Sequence, residues 1–234
     1  MQVLQIWRYP IKSVGGEHLE AATISNLGVA GDRGWGLIDE STGYVLTARR
    51  EPKLLMATCR LLEGAPVTTT DAGDRLRSSA DWSGWLGRSV RLEKASDIGG
   101  TYENPLDIEN EANWMSWQGP ADAWHDSAQS RISLVSTGSL GDWDARRFRA
   151  NIVVEGDGED EFIGSSIRIG DEVQATVTKG IDRCVMVTRP QPGLGRNLSV
   201  LRTITKRPNS TFCIGPLIDR GGTIMVGDRV DASS

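Results

Sequence analysis

The stretch "SIRIGDEVQATVTKG", residues 166–180, shows the pattern that constrains this chain most: two short alternating runs hinged on Gly170-Asp171. A period of two gives a strand one buried and one solvated face, and a Gly-Asp pair supplies a tight reversal. The same grammar recurs in "WGLIDESTGYVLTA" around Ser41-Thr42-Gly43, in "KLLMATCRLLEGAPVTT" around Glu63-Gly64, and in "GGTIMVGDRVDA" near the C-terminus. The likeness of "IRIGDEV" to "IMVGDRV" reflects a common hairpin turn and is not evidence of a repeat. With 27 glycines in 234 residues, long helices are disfavoured. The expectation is a mostly β chain of α+β type, its short strands closing wholly or partly into a barrel. "SADWSGWLG" predicts a short helix from a Ser79 cap to Gly87, and "TGSLGDW" a helical turn. "RISLVS", "NIVVEG" and "RCVMVT" read as further strands, the second of them buried.

No period holds from Ser96 to Ser130, which is polar and dotted with tryptophans. One short helix is expected there, around Glu109 to Trp117, and the segment is the best boundary between a first unit, 1–95, and a second, 96–234. The net charge of -5 is spread along the chain without a basic block, which argues against a nucleic-acid partner and leaves room for a local basic pocket for a small anion. "MQVLQIWRYPIKS" has no basic n-region and no apolar h-region, so it reads as a strand ending at Pro10. No run approaches ~18 apolar residues, so no membrane span is expected. Three scattered cysteines fit a reducing, cytoplasmic setting. Walker, C-x-x-C and H-x-x-x-H motifs are missing, and "GLGRNL" has Leu198 where a dinucleotide fingerprint needs its third glycine. His18 and His125 are the only histidines, too few for a standard zinc cage.

Chemistry is concentrated in a few places. Cys184 sits between Asp182-Arg183 and a Val-Met-Val run. It reads either as a small core residue or as a thiolate favoured by Lys179 and Arg183, suited to nucleophilic work or to a soft metal. Arg149 and Asn151, in "RRFRANIVV", fall on one side of an expected strand; a guanidinium fork plus an amide suits a phosphate or a fused heterocycle, and a solvated basic face is the alternative. Lys12, Ser13 and Arg33 are either loop-end charges or an anion-binding set. Ser136, Thr137 and Ser139 form a helix cap whose free N–H groups also suit an anion. Cys59 and Cys213 read as core thiols. His125 and Asp126 are weak acid–base candidates, and a cysteine hydrolase pairing Cys184 with His125 ranks low.

Taken in order, "YPIKS", "GVAGDRGWGLID", "LTARREPKL", "TGSL", "RRFRANIVVEG", "IRIGD", "RCVMVT" and "VGDRV" resemble the MOSC family over nearly the whole chain, most weakly between Ser96 and Ser130. The resemblance implies a MOSC β-barrel with a second, smaller N-terminal β-barrel-like region and a few short helices. It implies a molybdenum cofactor (Mo-molybdopterin), with Cys184 as the protein ligand to the metal. Lys12, Ser13, Arg33, Ser139, Arg149 and Asn151 match the family's pterin- and phosphate-binding positions, Ala150 standing where the family has proline. The family's R-C-x-x-T threonine falls on Val187, with Thr188 one step later. The activity implied is two-electron removal of oxygen from N-hydroxylated small molecules, fed by a separate reductase or ferredoxin-like donor. A non-catalytic carrier of the cofactor or of sulfur is the alternative.

Overall fold

The computed structural model describes residues 1–106 and 113–233. Its main sheet has eight strands in the order Val230–Ala232, Ser166–Ile169, Val173–Asp182, Thr211–Arg220, Leu134–Ser136, Ile152–Glu155, Gln2–Arg8 and Glu17–Leu19. Every pairing is antiparallel except Leu134–Ser136 with Ile152–Glu155. Parallel neighbours need a crossover. Here it runs through the short helix Thr137–Leu140 and the 3-10 turn Ala145–Arg147, and so carries the arginine cluster across one face of the sheet.

The chain is mostly β with a few short helices, as expected. The sheet curls until its first strand meets its last: Met1 and Val230 exchange backbone hydrogen bonds at 3.0 and 2.9 Å, and Gln2 bridges Arg229. That contact is one bridge and not a ladder, so no closed barrel forms among the described residues. Val3, Ile6, Leu134, Ile152, Ile167, Val177, Ile214 and Val230 fill the inside of the curl. Val135, Val153, Phe148 and Phe212 pack on the other face with Val200 and Ile204 of the helix Leu198–Ile204. Burial on both faces is why "NIVVEG" reads as a continuous apolar run.

A second core of Leu37, Leu46, Leu54, Ala57, Leu76, Trp82 and Val90 belongs to the first half of the chain. Around it lie the pair Trp35–Asp39 and Val90–Lys94, and the sheet Ala57–Leu62, Ala65–Thr70 and Arg75–Leu76, with its turn at Glu63-Gly64 as expected. The helix Ser79–Leu86 is present, capped by Ser78 in place of Ser79: the Ser78 hydroxyl accepts from the Asp81 N–H, the Asp81 carboxylate accepts from the Ser78 N–H, and Gly87 closes the helix at φ 73°.

Four expectations change. Trp114–Gln118 is a strand paired with Thr101–Pro105, so a helix around Glu109 to Trp117 does not form over its last residues; 107–112 lie outside the described residues. "YVLTA" makes only the single bridge Ile38–Val45, because Trp35–Asp39 takes Val90–Lys94 as its partner. The strands flanking Gly227-Asp228 do not pair with each other: Gly222–Met225 joins Ala21–Ser25, and Val230–Ala232 joins Ser166–Ile169. "RCVMVT" is no strand. The strand Val173–Asp182 ends after two register shifts about Gly180, Cys184 caps the 3-10 turn Val185–Thr188, and the Thr188 hydroxyl donates to Val185 O at 2.8 Å. Val185, Val187 and Thr188 are buried beneath that turn, and four apolar residues cannot report which backbone buries them.

Gly180 ties the fold to the loop beyond it. A Cβ there would lie 2.5 Å from Thr211 Oγ1 and 2.8 Å from Thr211 Cβ. Gly180→Ala is expected to cost about 1–3 kcal/mol through overpacking, read as a lower midpoint in chemical denaturation. Thr211→Gly in the same chain should recover part of the loss; a Gly180→Ala variant as stable as the parent would refute the contact.

Candidate functional site

Pro10 ends the strand Gln2–Arg8 and turns the chain alongside residues 33–35. Arg33 N donates to Tyr9 O at 2.7 Å, Lys12 N to Trp35 O at 2.8 Å and Trp35 N to Pro10 O at 3.0 Å. Lys12, Ser13 and Arg33 are thereby neighbours. Trp124 N donates to Arg33 O at 2.8 Å, which brings His125 and Asp126 to the same place. From the second half, Arg149 precedes the strand Ile152–Glu155 and its guanidinium donates to Val14 O. The Tyr9 ring lies under two guanidiniums, Arg149 at 4.3 Å and Arg33 at 5.4 Å from its centroid. Ser13, Arg33, Arg149 and Cys213 all have φ between 51° and 73°. Non-glycine residues rarely adopt that region, and its cost, of order 1 kcal/mol or more each, accumulates where geometry is held for function.

These elements surround a cavity of about 590 Å³ lined by Lys12, Ser13, Arg33, Arg149 and Cys184, five of the residues singled out from the sequence. Asn151 borders an adjoining cavity of about 110 Å³, which Arg33 and Arg149 also line. Its amide is spent on the framework: Oδ1 accepts from Ser133 N and Oγ at 3.2 Å, and Nδ2 donates to Trp7 O at 3.2 Å. Ser139 lines neither cavity. It lies within the helix Thr137–Leu140, and its hydroxyl donates to the buried Glu159 carboxylate at 3.0 Å. His125 lines the smaller cavity and Cys184 the larger, so the structure does not assemble a Cys184–His125 pair.

Sequence reasoning missed Arg49. Its guanidinium pairs with Asp126 at 3.3 Å and lies beside the Cys184 sulfur, whereas Arg183, the expected neighbour, donates to Phe212 O at 2.7 Å and Phe148 O at 3.1 Å, close to Cys213. Cys213 is therefore not free of basic neighbours, though burial still pushes its thiol up to about 11, as it does that of Cys59. Cys184 is the half-buried thiol of the three. Arg49 follows the buried run Leu46-Thr47-Ala48, and a charge closing such a run was the available signal. Asn104 and Trp117, from the segment without a period, also line the cavity.

Seven lysine and arginine side chains line the larger cavity against two carboxylates, Asp126 and Asp182, in a chain of net charge -5. One Asp126 oxygen, Oδ1, lies 3.0 Å from Lys12 Nζ and 3.3 Å from Arg49 Nη2. The Asp126 side chain is half exposed, and the charges of Lys12 and Arg49 hold its carboxyl far below the usual carboxylate range. Burial lowers Lys12 to about 8, against the pull of Asp126 and helped by Arg49 and Arg33, and lowers Arg149 to about 10, helped by Arg33. Burial and then Arg33 lower His125 to about 3, so it is neutral at pH 7. Among the described residues, Ser13 Oγ, Arg149 Nη2 and Arg183 Nη2 are buried without a hydrogen-bond partner. Unspent cationic donors at a cavity wall suit a polyanion, and the half-buried sulfur beside them suits a soft metal.

The model of the MOSC N-terminal beta barrel domain matches residues 1–116, and that of the MOSC domain matches residues 119–231. Mitochondrial amidoxime-reducing component 1 of Homo sapiens is 25% identical over 97% of this chain and 82% of its own length. The same protein of Mus musculus is 25% identical over 97% of this chain and 81% of its own length. Among solved structures, the YUAD protein from Bacillus subtilis has a TM-score of 0.45 at 11% identity, covering 98% of this chain and 93% of that one. Among the described residues, no helix is long and apolar enough to cross a membrane.

The depressed Lys12 gives a pH test. Inorganic phosphate added to the cofactor-free protein should bind more weakly as pH rises through about 8, where the Lys12 ammonium loses its proton. Calorimetric titration across that range in the parent and in Lys12→Gln checks it, since the variant should lose the step. A step of equal size in both would assign it to another group.

Proposed function

Because the chain belongs to the MOSC family, we propose that it is a molybdenum-cofactor-binding oxidoreductase that reduces N-hydroxylated compounds by two-electron oxygen removal. One observation carries the reading: the half-buried Cys184 lies on the same cavity as Lys12, Ser13, Arg33 and Arg149, with unpartnered donors among them. The relatives named for amidoxime reduction support the substrate class. The residues fit the group: the cationic donors match a pterin phosphate, and the sulfur matches the metal. When bound, the cofactor supplies the two-electron chemistry.

In this reading Cys184 is the sulfur ligand, with the Arg49 guanidinium beside it on the same cavity. Lys12, Ser13, Arg33 and Arg149 hold the phosphate and pterin. Asn151 fixes the wall through Ser133 and Trp7 and stands behind the ligand. Ser139 leaves the binding set. Asp126 stays ionised at neutral pH; it neutralises Lys12 and Arg49 and is not a proton donor. Electrons come from a separate donor protein, reductase or ferredoxin-like, because three cysteines without a C-x4-C-x2-C run cannot supply a plant-type cluster, and no glycine-rich nucleotide turn is present.

Protein made in a host that synthesises the cofactor should contain molybdenum and pterin and, with a chemical reductant, should reduce benzamidoxime. Cys184→Ala should abolish turnover and change the metal's spectrum, while Cys59→Ser and Cys213→Ser keep the metal. Arg149→Gln should lower cofactor occupancy far more than Arg146→Gln, since Arg146 does not line the cavity and is paired with Asp144 at 2.7 Å. Full turnover in Cys184→Ala would refute the reading, and cofactor content without turnover would favour a carrier.

A second expectation concerns the electron source. The purified holoprotein given NADH or NADPH alone should not reduce benzamidoxime at a steady rate, and a donor protein should restore turnover at a rate that falls as salt rises. Sustained turnover with the nucleotide alone would reveal a redox centre within this chain.

A further inference from the structure

From Arg183 to Ile218 the chain has no Asp or Glu, yet it carries Arg183, Arg189, Arg196, Arg202, Lys206 and Arg207, in a protein whose net charge is -5. The fold keeps this segment beside Cys184. Asn197 N donates to Thr188 O at 2.9 Å, and Val187 packs with Val200 and Ile204, so the helix Leu198–Ile204 rests on the turn that Cys184 caps. The loop between them is pinned. Gln191 and Leu194 exchange backbone hydrogen bonds at 2.9 and 2.7 Å around Gly193, which has φ 77°, and Arg147 of the cavity wall donates to Gly195 O at 2.8 Å. Leu198, Arg202 and Lys206 recur every four residues, and Thr205 keeps helical dihedrals, so the three share one face. All three are exposed, as is Arg196. Among the described residues, Arg196, Arg202 and Lys206 have no ion pair, whereas Arg146 is held by Asp144 at 2.7 Å and Arg207 faces the Asp160 carboxyl. Leu198, 43% exposed, lies among the three unpaired charges.

Resting on the reading above, we propose that Arg196, Leu198, Arg202 and Lys206 form the docking surface for the electron donor, and that the donor is a protein presenting an acidic face. Position is the first argument. Converting one N–OH to N–H and water takes two electrons, which the donor supplies, and two protons, which water supplies; a one-electron donor therefore docks twice per turnover. Packed elements lie about 8–10 Å apart, so a protein seated on this helix is separated from the Cys184 turn by one layer of structure. Charge is the second argument. The acidic excess of the chain lies outside this segment and repels an acidic partner elsewhere, while the unpaired cations attract it here. An exposed apolar residue rimmed by arginine and lysine also matches the plan of a small transient interface. Size decides against other polyanions. Three free cations fall short of the ~6–10 phosphate contacts of a duplex binder and of the ~4–8 basic residues of a lipid-binding cluster. They suffice for an encounter that buries less than ~1,200 Å².

The test uses the cofactor-loaded full chain with two reductants. Reduced plant-type ferredoxin is the acidic one-electron protein probe, and reduced benzyl viologen is a small cation that needs no docking surface. Arg196→Glu, Arg202→Glu and Lys206→Glu combined in one chain should slow ferredoxin-driven turnover of benzamidoxime at least about tenfold. Benzyl viologen turnover and molybdenum content should stay at the parent's level. Arg75→Glu, an exposed change outside the patch, should alter neither rate. Raising salt from about 0.01 M to about 1 M, which shortens the Debye length from ~30 Å to ~3 Å, should slow ferredoxin-driven turnover in the parent and not in the triple variant. In ¹⁵N-labelled parent, oxidised ferredoxin should shift the backbone amides of residues 196–206, a readout that needs neither turnover nor a folded variant. Equal ferredoxin rates in parent and triple variant overturn the proposal. So does a parent that benzyl viologen drives and ferredoxin does not, or larger shifts at these amides with duplex DNA or phosphatidylserine vesicles than with ferredoxin. Turnover with neither reductant counts against the reductase reading, and the amide shifts then decide the docking surface alone: present, they keep it; absent, they remove it.

Discussion

Mutual repulsion among the cations at one cavity is the constraint to which the rest of the structure answers. Two like charges 4 Å apart near a protein surface repel by on the order of 4 kcal/mol, and seven cations line the cavity against two lining carboxylates and the buried Asp32 paired with Arg33. The guanidiniums are held largely by backbone carbonyls: Arg149 by Val14, Arg183 by Phe148 and Phe212, Arg147 by Gly195 at 2.8 Å. Carbonyl partners fix a guanidinium's position without cancelling its charge, so the positive potential remains available to a ligand. Two carboxylates are the exceptions: Asp126, with a single oxygen shared by Lys12 and Arg49, and the buried Asp32, which accepts from Arg33.

That arrangement needs both halves of the chain. The core of the chain's first half carries Lys12, Ser13 and Arg49 to the cavity rim. The main sheet presents Arg149 and Cys184 from the ends of its strands. The Tyr9 ring is the hinge between them, stacked under Arg33 from one half and Arg149 from the other, with its hydroxyl donating to Ala150 O at 3.3 Å. The left-handed backbone at Ser13, Arg33, Arg149 and Cys213 turns the chain sharply at the points where these segments converge. A polyanion entering the cavity would relieve the repulsion and fill the unpartnered donors together, so binding and stability are coupled in this protein.

Composition and period were enough for the β-rich class, for most strands and turns, and for the helix ending at Gly87, because alternation and glycine turns are local properties. Residue type and neighbours singled out Lys12, Ser13, Arg33, Arg149 and Cys184 as candidates, and the fold places all five on one cavity. Local signals failed where burial came from elsewhere. "RCVMVT" is apolar because it lies beneath a turn, and the polar stretch after Ser96 holds a hairpin stabilised by the Tyr102–Trp117 stack. Arg49 at Cys184, the spending of Asn151 on Ser133 and Trp7, and the turning of Ser139 toward Glu159 depend on contacts between residues tens to more than a hundred positions apart. The sequence by itself determined which chemical groups this protein has and the local backbone that carries them. Only the tertiary structure decided which groups face one cavity and which are used up inside the framework, because that depends on long-range packing and on competition for hydrogen-bond partners.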